Sequence, residues 1–444
     1  MTMIRRRVAI CLILAAAVGG LGLFSRAAEA AEKSSWKFSF GGSGAEEATA
    51  VTPESMYSPE AGFGFENGAK VEAAGSAEGR ALVSEKPFYF SAAVPEGNYK
   101  VTVTLGNPGQ GGSDTTIKAE LRRLMVENVH TTAFEPKTVS FIVNVRRPEF
   151  EGGKVKLKAP RESVQEAWAW DDKLTLEFNG AKPAVEALTI EKVDVPTVYV
   201  LGDSTVCDQS GEPYCSWGQM LTNFFKDDIA IANHGESGES VASSNGAGRF
   251  KKILSEIKPG DFFIEQFGHN DMKSKAEGAA EKYEKDLESW VSQIKAKGAT
   301  PILVTPMNRH TFRDGKVTDS LAPYPDKVRE AAKNTGAILI DLNKMSASLY
   351  EALGEKGSDQ LFEHATPEGK HDGTHHSPMG AYELARCIVQ GIKEGAPDLA
   401  KHVKDDVKAF DPSKPDFTEE SAFKVPPSPG RTTMVPLGAG GANQ

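Results

Sequence analysis

Between Trp36 and about Glu191, apolar and polar residues alternate in short segments broken by glycine and proline. The clearest are PFYFSAAV at Pro87 to Val94, NYKVTVTLGN at Asn98 to Asn107, KTVSFIVNV at Lys137 to Val145, KLTLEF at Lys173 to Phe178 and ALTIEKV at Ala187 to Val193. Successive strand side chains point to opposite faces, so this period-two pattern predicts an antiparallel β-sandwich. After Pro196 the pattern changes. Short apolar, β-prone runs at Thr197 to Leu201, Ile229 to Ala232, Phe262 to Phe267, Pro301 to Thr305 and Ile338 to Ile340 alternate with segments of helical spacing. Those helices are expected near Trp217 to Phe225, Arg249 to Ile257, Ala279 to Ala296, Pro325 to Asn334 and Pro378 to Ile392. Strands apolar on both faces, alternating with helices, predict an α/β unit whose parallel sheet is covered on both sides. Sites in such sheets gather at the carboxyl ends of the strands.

The length of 444 residues suits two or three domains, and the contents, 39% hydrophobic and 25% charged, are those of a globular chain. The net charge of −10 is spread without a basic run, which removes nucleic acid as a partner. Arg5 to Arg7, an apolar run from Val8 to Phe24 and the Ala28-Glu29-Ala30 triplet read as an export signal, with an uncleaved anchor as the alternative. The chain thus divides into a signal at 1–30, a β-sandwich at 31–193, an α/β unit at 194–410 and a Pro/Gly-rich tail at 411–444. The tail is too poor in apolar residues to bury much surface and is expected to be disordered or loosely draped. The mature protein is expected to be exported, with no membrane segment. Of the remaining cysteines, Cys207 and Cys215 are the nearest pair, and an oxidising compartment would permit a disulfide between them.

Four polar segments follow predicted strands or fill loops: GDST at Gly202 to Thr205, GESGES at Gly235 to Ser240, FGHND at Phe267 to Asp271 and HDGTHHSP at His371 to Pro378. Singly, each is a weak signal that a turn or a helix cap explains better. Together they supply what ester cleavage requires. Ser204 is a candidate nucleophile, His375 a base whose type titrates near neutral pH, and Asp372 an acid to orient it. The backbone N–H groups of Ser204 and Gly238 and the side-chain amide of Asn270 are candidate oxyanion donors. No G-x-S-x-G elbow occurs in the chain, so that strained strand-to-helix turn is not expected.

In order and spacing these four segments resemble the blocks of the SGNH (GDSL-like) hydrolase superfamily, over about Val195 to Lys393. The forms GDSTV, QFGHND and DGTHHSPMGA, with the PEGNYKVTVTLGN segment upstream, are similar to the rhamnogalacturonan acetylesterase branch, carbohydrate esterase family 12. The resemblance implies a flavodoxin-like three-layer hydrolase domain behind a galactose-binding-like β-sandwich, with Ser204 opening the first helical turn. It also implies a serine esterase that removes acetyl groups from a plant polysaccharide, most directly rhamnogalacturonan, and needs no metal or organic cofactor. Other glycan esterases, such as acetyl-xylan esterases, and a lipase or thioesterase of the same superfamily are the enzyme alternatives. A carbohydrate-binding surface protein is the non-enzymatic one.

The other candidates carry plainer expectations. His364, His371, His375 and His376 crowd together, but Gly373 and Pro378 break the helix that an i, i+4 metal pair would need, so no metal site is expected. His376 competes with His375 for the base, and the superfamily pattern favours His375. His269, Asp203 and Asp271 are expected to support their loops through hydrogen bonds. Trp168 and Trp170 alternate as on a strand, where they would pack in a core or stack on sugar rings. Arg309 and Arg313 are candidates to face a polyanionic substrate. Removing the β-sandwich is expected to affect polymer binding more than hydrolysis of a small ester, unless the two halves share an interface needed for folding.

Overall fold

The computed structural model describes residues 34–430 apart from 42–46, 67, 77–78, 107–110, 134, 364–370 and 417–422. The expected export signal at 1–30 and the end of the tail lie outside the described residues. Among them, no helix is long and apolar enough to cross a membrane.

The first half is two facing sheets. One runs Lys137–Val145, Gly97–Leu105, Ala184–Val193, Ser35–Phe40, Thr49–Val51, with the Glu72–Ser76 and Gly79–Val83 hairpin paired to Ala184–Val193. The other runs Phe63–Glu66, Phe88–Ala93, Lys173–Asn179, Ser113–Ala119, Arg123–Thr131. All pairings are antiparallel except Ser35–Phe40 with Thr49–Val51, which is parallel. Alternate residues such as Val101, Val103, Phe90, Leu176 and Phe178 point between the sheets and are fully or almost fully buried. Trp168 and Trp170 are not on a strand. Trp168 lies within a single 3-10 turn, Ala167–Ala169, and Trp170 caps it, with both rings buried, Trp168 edge-on to Tyr89 and Trp170 under the Arg146 guanidinium. Buried rings present no face to a sugar, so the stacking reading fails.

The second half is a five-stranded, all-parallel sheet in the order Ala230–Asn233, Thr197–Gly202, Phe262–Gln266, Thr300–Val304, Ile338–Ile340. In sequence rank this is 2-1-3-4-5, the flavodoxin-like order, so the chain reverses direction beside the first strand. Each apolar strand serves two layers. Val198 and Val200 face Trp217, Leu221, Leu384 and Ile388, whereas Tyr199 and Leu201 face Phe250, Leu287 and Trp290. The expected helices are present as Trp217–Leu221, Arg249–Glu256, Ala279–Ala296, Tyr324–Thr335 and Pro378–Gly395. Three more occur among the described residues: Val241–Gly246, Leu342–Ser358 and Pro397–Ala400.

Two further expectations are corrected. The three described cysteines are free and buried, and no bridge joins Cys207 to Cys215. Cys207 Sγ instead lies 3.4 Å from Ser237 Oγ. Part of the tail is fixed rather than loose. The carbonyls of Pro426, Pro427 and Pro429 accept hydrogen bonds from Lys118 Nζ (2.7 Å), Asn179 Nδ2 (2.9 Å) and Tyr89 OH (3.0 Å). A proline-rich segment has few donors of its own, but its carbonyls remain good acceptors for polar side chains on the outer face of a sheet.

Candidate active site

The Thr197–Gly202 strand is followed by Asp203, whose carboxylate accepts from Thr205 N (2.9 Å) and Thr205 Oγ1 (2.8 Å). The Asp203 carbonyl accepts from both Val206 N (3.0 Å) and Cys207 N (2.9 Å), which coils Asp203 to Cys207 into one turn that does not propagate. Ser204 therefore sits on an isolated turn, and the helix expected to begin there starts only at Trp217. Its carbonyl is held by Gln209 Nε2 at 2.6 Å, and its side chain reaches the surface only slightly.

Ser204 Oγ lies 2.8 Å from His375 Nε2, and His375 Nδ1 lies 2.7 Å from Asp372 Oδ2. A carboxylate only accepts, so Nδ1 carries the hydrogen and Nε2 presents its lone pair to the serine hydroxyl. Asp372 also accepts from Thr374 N (2.9 Å) and His375 N (3.1 Å) through Oδ1. Partial burial pushes the Asp372 carboxyl up, but the His375 ring and these two N–H groups outweigh it and hold it well below the usual carboxylate range. This pair lies on the Asp372–His376 segment, paired with Phe362–Glu363 and tied to the 209–215 loop by Cys215 N donating to His376 O at 3.0 Å.

His376 points elsewhere. It is buried, hydrogen-bonds Tyr350 OH at 3.0 Å, and burial with neighbouring histidines lowers its pKa to about 3.

The loop after Ala230–Asn233 runs alongside the Asp203–Cys207 turn, with Glu236 N donating to Gly202 O at 3.0 Å. Its tip is a tight turn closed by Glu239 N to Glu236 O (3.2 Å), with Gly238 at φ +76°, a left-handed conformation that favours glycine. The third loop is locked to it: Asp271 accepts from Val241 N at 3.0 Å and from Gly268 N at 3.1 Å, and Asn270 Nδ2 donates to Glu239 O at 2.9 Å. Among the described residues, no acceptor takes the N–H of Ser204 or Gly238, or the second amide hydrogen of Asn270.

The supporting residues behave unevenly. Asp203 and Asp271 do bond their loops. The His269 ring makes no hydrogen bond among the described residues and lies 3.6 Å from Asp203, because it is packed in a buried site that offers no nearer acceptor. Arg309 reaches the His269 carbonyl at 3.5 Å, and Arg313 is exposed on a short hairpin, Phe312–Arg313 with Lys316–Val317. Of the crowded histidines, His371 pairs with Asp359 at 2.7 Å, near His310, and His364 lies outside the described residues.

Several residues around the site carry no motif in the sequence. Arg122, at the end of a sandwich hairpin, donates to Gln209 O (3.2 Å) and Tyr214 O (2.9 Å) and pairs with Glu212 at 2.6 Å. The Tyr214 ring stands edge-on to His375, 5.6 Å between centroids. Lys158 and Arg161, also from the first half, reach the Glu236–Glu239 turn at 2.7 Å and 3.4 Å. No spacing rule links Arg122, Lys158 or Arg161 to a site that begins only at Ser204.

An imidazole joining a carboxylate to a hydroxyl, at the carboxyl edge of a parallel sheet and beside free amide donors, is the arrangement nucleophilic acyl transfer requires. The pattern of the GDSL-like lipase/acylhydrolase family matches residues 200–380. The rhamnogalacturonan acetylesterase RhgT of Bacillus subtilis is 34% identical over 216 residues, covering 46% of this chain and 93% of that one. The probable rhamnogalacturonan acetylesterase YesY of the same organism is 32% identical over 208 residues, covering 44% and 92%. A third relative, the uncharacterized esterase YxiM, also of Bacillus subtilis, is 28% identical over 381 residues, covering 82% and 92%, so its match extends into the sandwich half. The chain belongs to the GDSL-like lipase/acylhydrolase family and is a carboxylic ester hydrolase.

Proposed function

We propose that this protein is a serine acetylesterase acting on an acetylated plant polysaccharide, rhamnogalacturonan first among them, with Ser204, His375 and Asp372 as its catalytic residues. The observation that carries the mechanism is the unbroken hydrogen-bonded chain from Asp372 through His375 to Ser204, at 2.7 and 2.8 Å. The substrate class rests on similarity to RhgT and YesY.

In the proposed reaction Ser204 Oγ attacks the acetyl carbonyl as His375 Nε2 takes its proton. Charge developing on the carbonyl oxygen meets the N–H groups of Ser204, Gly238 and Asn270. Collapse of the tetrahedral species breaks the ester bond, and His375 returns the proton to the departing sugar hydroxyl, leaving acetyl-Ser204. Water, deprotonated by His375, then attacks the acetyl carbonyl; collapse breaks the bond to Ser204 Oγ, which takes the proton back from His375, and acetate leaves. Asp372 keeps the hydrogen on Nδ1 and offsets the imidazolium charge in both steps. Export of the mature enzyme, as the N-terminal residues suggest, would bring it to such a polymer.

The nucleophile is tested with p-nitrophenyl acetate: Ser204→Ala should abolish turnover, and an unchanged rate would sink the assignment. Acetate release across acetylated pectins and xylans tests the substrate. Rhamnogalacturonan should be deacetylated fastest, and a preference for long-chain acyl esters would overturn the polysaccharide reading.

A further inference from the structure

We propose that Lys158, contributed by the β-sandwich half, orients and polarises the peptide whose N–H is the Gly238 oxyanion donor. The proposal rests on the acyl-transfer reading above and makes the first half part of the hydrolytic machinery rather than an appended binding module.

The argument starts from one peptide bond. Ser237 C=O and Gly238 N–H belong to the same planar, trans unit and so point in opposite directions. Lys158 Nζ donates to Ser237 O at 2.6 Å. Fixing the carbonyl therefore fixes the direction of the amide hydrogen, and a cation on the oxygen draws electron density from nitrogen, making the N–H a stronger donor.

The same ammonium also grips the other side of Gly238. It pairs with Glu239 Oε1 at 2.7 Å, where the glutamate side chain is almost wholly buried. The Glu239 carbonyl in turn accepts from Asn270 Nδ2 at 2.9 Å. One lysine thus restrains both donors outside the nucleophile turn.

Its backbone is anchored well enough for this role. Lys158 N donates to Glu162 Oε2 at 2.8 Å, and that buried carboxylate also accepts from Arg249 Nη2 at 2.5 Å and Trp170 Nε1 at 3.2 Å. Lys156 N donates to Ala247 O at 2.8 Å, pinning the arm to the helical layer. Lys158 is a positioning residue: it acts through Gly238 and touches no reacting atom.

A surface ion pair with no such role would leave turnover unchanged when removed. The test uses the full chain and p-nitrophenyl acetate, a substrate too small to need a polymer groove. Lys158→Met should lower kcat about tenfold or more, less than the roughly 10²–10³ of losing an oxyanion donor outright, with KM changed less than about twofold. Lys158→Arg, which keeps a charged donor, should recover part of the loss. Urea unfolding accompanies each variant. If Lys158→Met does not fold because Glu239 is left unpaired, the double variant Lys158→Met with Glu239→Gln removes that charge and carries the same prediction. A folded variant with unchanged kcat, or one that raises KM alone, overturns the proposal. Ser204→Ala run alongside separates the two failures: full activity there defeats the acyl-transfer reading, whereas a dead Ser204→Ala beside a fully active Lys158→Met defeats only the role of the lysine.

Discussion

His375 and His376 are adjacent in the chain and opposite in surroundings. The first bridges Ser204 and Asp372 with about a third of its side chain exposed, while the second is buried against Phe362 and bonded to Tyr350. His375→Ala should lower kcat for p-nitrophenyl acetate by several orders of magnitude, and His376→Ala should chiefly lower stability. The reverse result would mean that the base has been misassigned. His376 also makes a pH prediction. Its folded pKa of about 3 is below the ordinary 6.5, so the folded state binds fewer protons than the unfolded one. Its contribution is therefore fully present above about pH 6.5 and is lost as pH falls from there towards about 3. His376→Gln, which keeps a polar partner for Tyr350, should lose less stability over that window, measured as urea midpoints between pH 7 and 4. A slope identical to that of the parent would contradict it.

The helix Trp217–Leu221 packs against the Asp203–Cys207 turn. Gly218 lies where a Cβ would approach Val206 O to 2.1 Å and Asn233 Nδ2 to 2.7 Å, and Asn233 Nδ2 itself bonds Val206 O at 2.8 Å. Gly218→Ala must push the helix away or shift the turn that carries Ser204. A loss of about 1–3 kcal/mol is expected from overpacking, with a lower kcat, and urea unfolding beside ester kinetics reads both. Helix Leu342–Ser358 shows where pattern reading was incomplete. Leu342, Ser346, Leu349 and Tyr350 recur at helical spacing behind Asp341, whose side chain caps Lys344 N at 3.2 Å, so the signal was present. Trp168 and Trp170 erred the other way. Their alternation is real, but the chain coils there because Glu162 and Arg146 hold the Trp170 ring at the junction between the halves.

At the scale of the molecule, that junction is a buried network of charge. Arg249 pairs with Glu162, both without exposed side-chain surface, Arg123 with Asp208 at 3.3 Å, and Lys252 with Glu96 at 2.7 Å. Leu124 of the sandwich shares a core with Trp217 and Phe224 of the α/β half. Separating the halves would break these pairs and uncover the apolar core that Leu124 shares with the α/β half. Such an interface favours the second outcome raised for removal of the sandwich, loss of small-ester hydrolysis together with polymer binding. Arg122→Met should reduce kcat several-fold by freeing the loop that holds Gln209 and Tyr214. Urea should abolish ester hydrolysis and sandwich structure in one transition; two separated transitions would show that the halves are energetically independent.

The sequence by itself determined most of the strand and helix alternation, the sheet type and the set of candidate residues for acyl transfer. Each depends on local periodicity or on a short ordered motif, both carried by neighbouring residues. Only the tertiary structure decided that His375 rather than His376 meets Ser204, that no bridge joins Cys207 to Cys215, that the proline-rich tail is held, and that Arg122 and Lys158 reach the site. Those outcomes depend on which distant groups lie within a few ångströms. A lysine 46 positions before Ser204 has no local signature of the carbonyl it will bond, because that contact exists only once two sheets have packed.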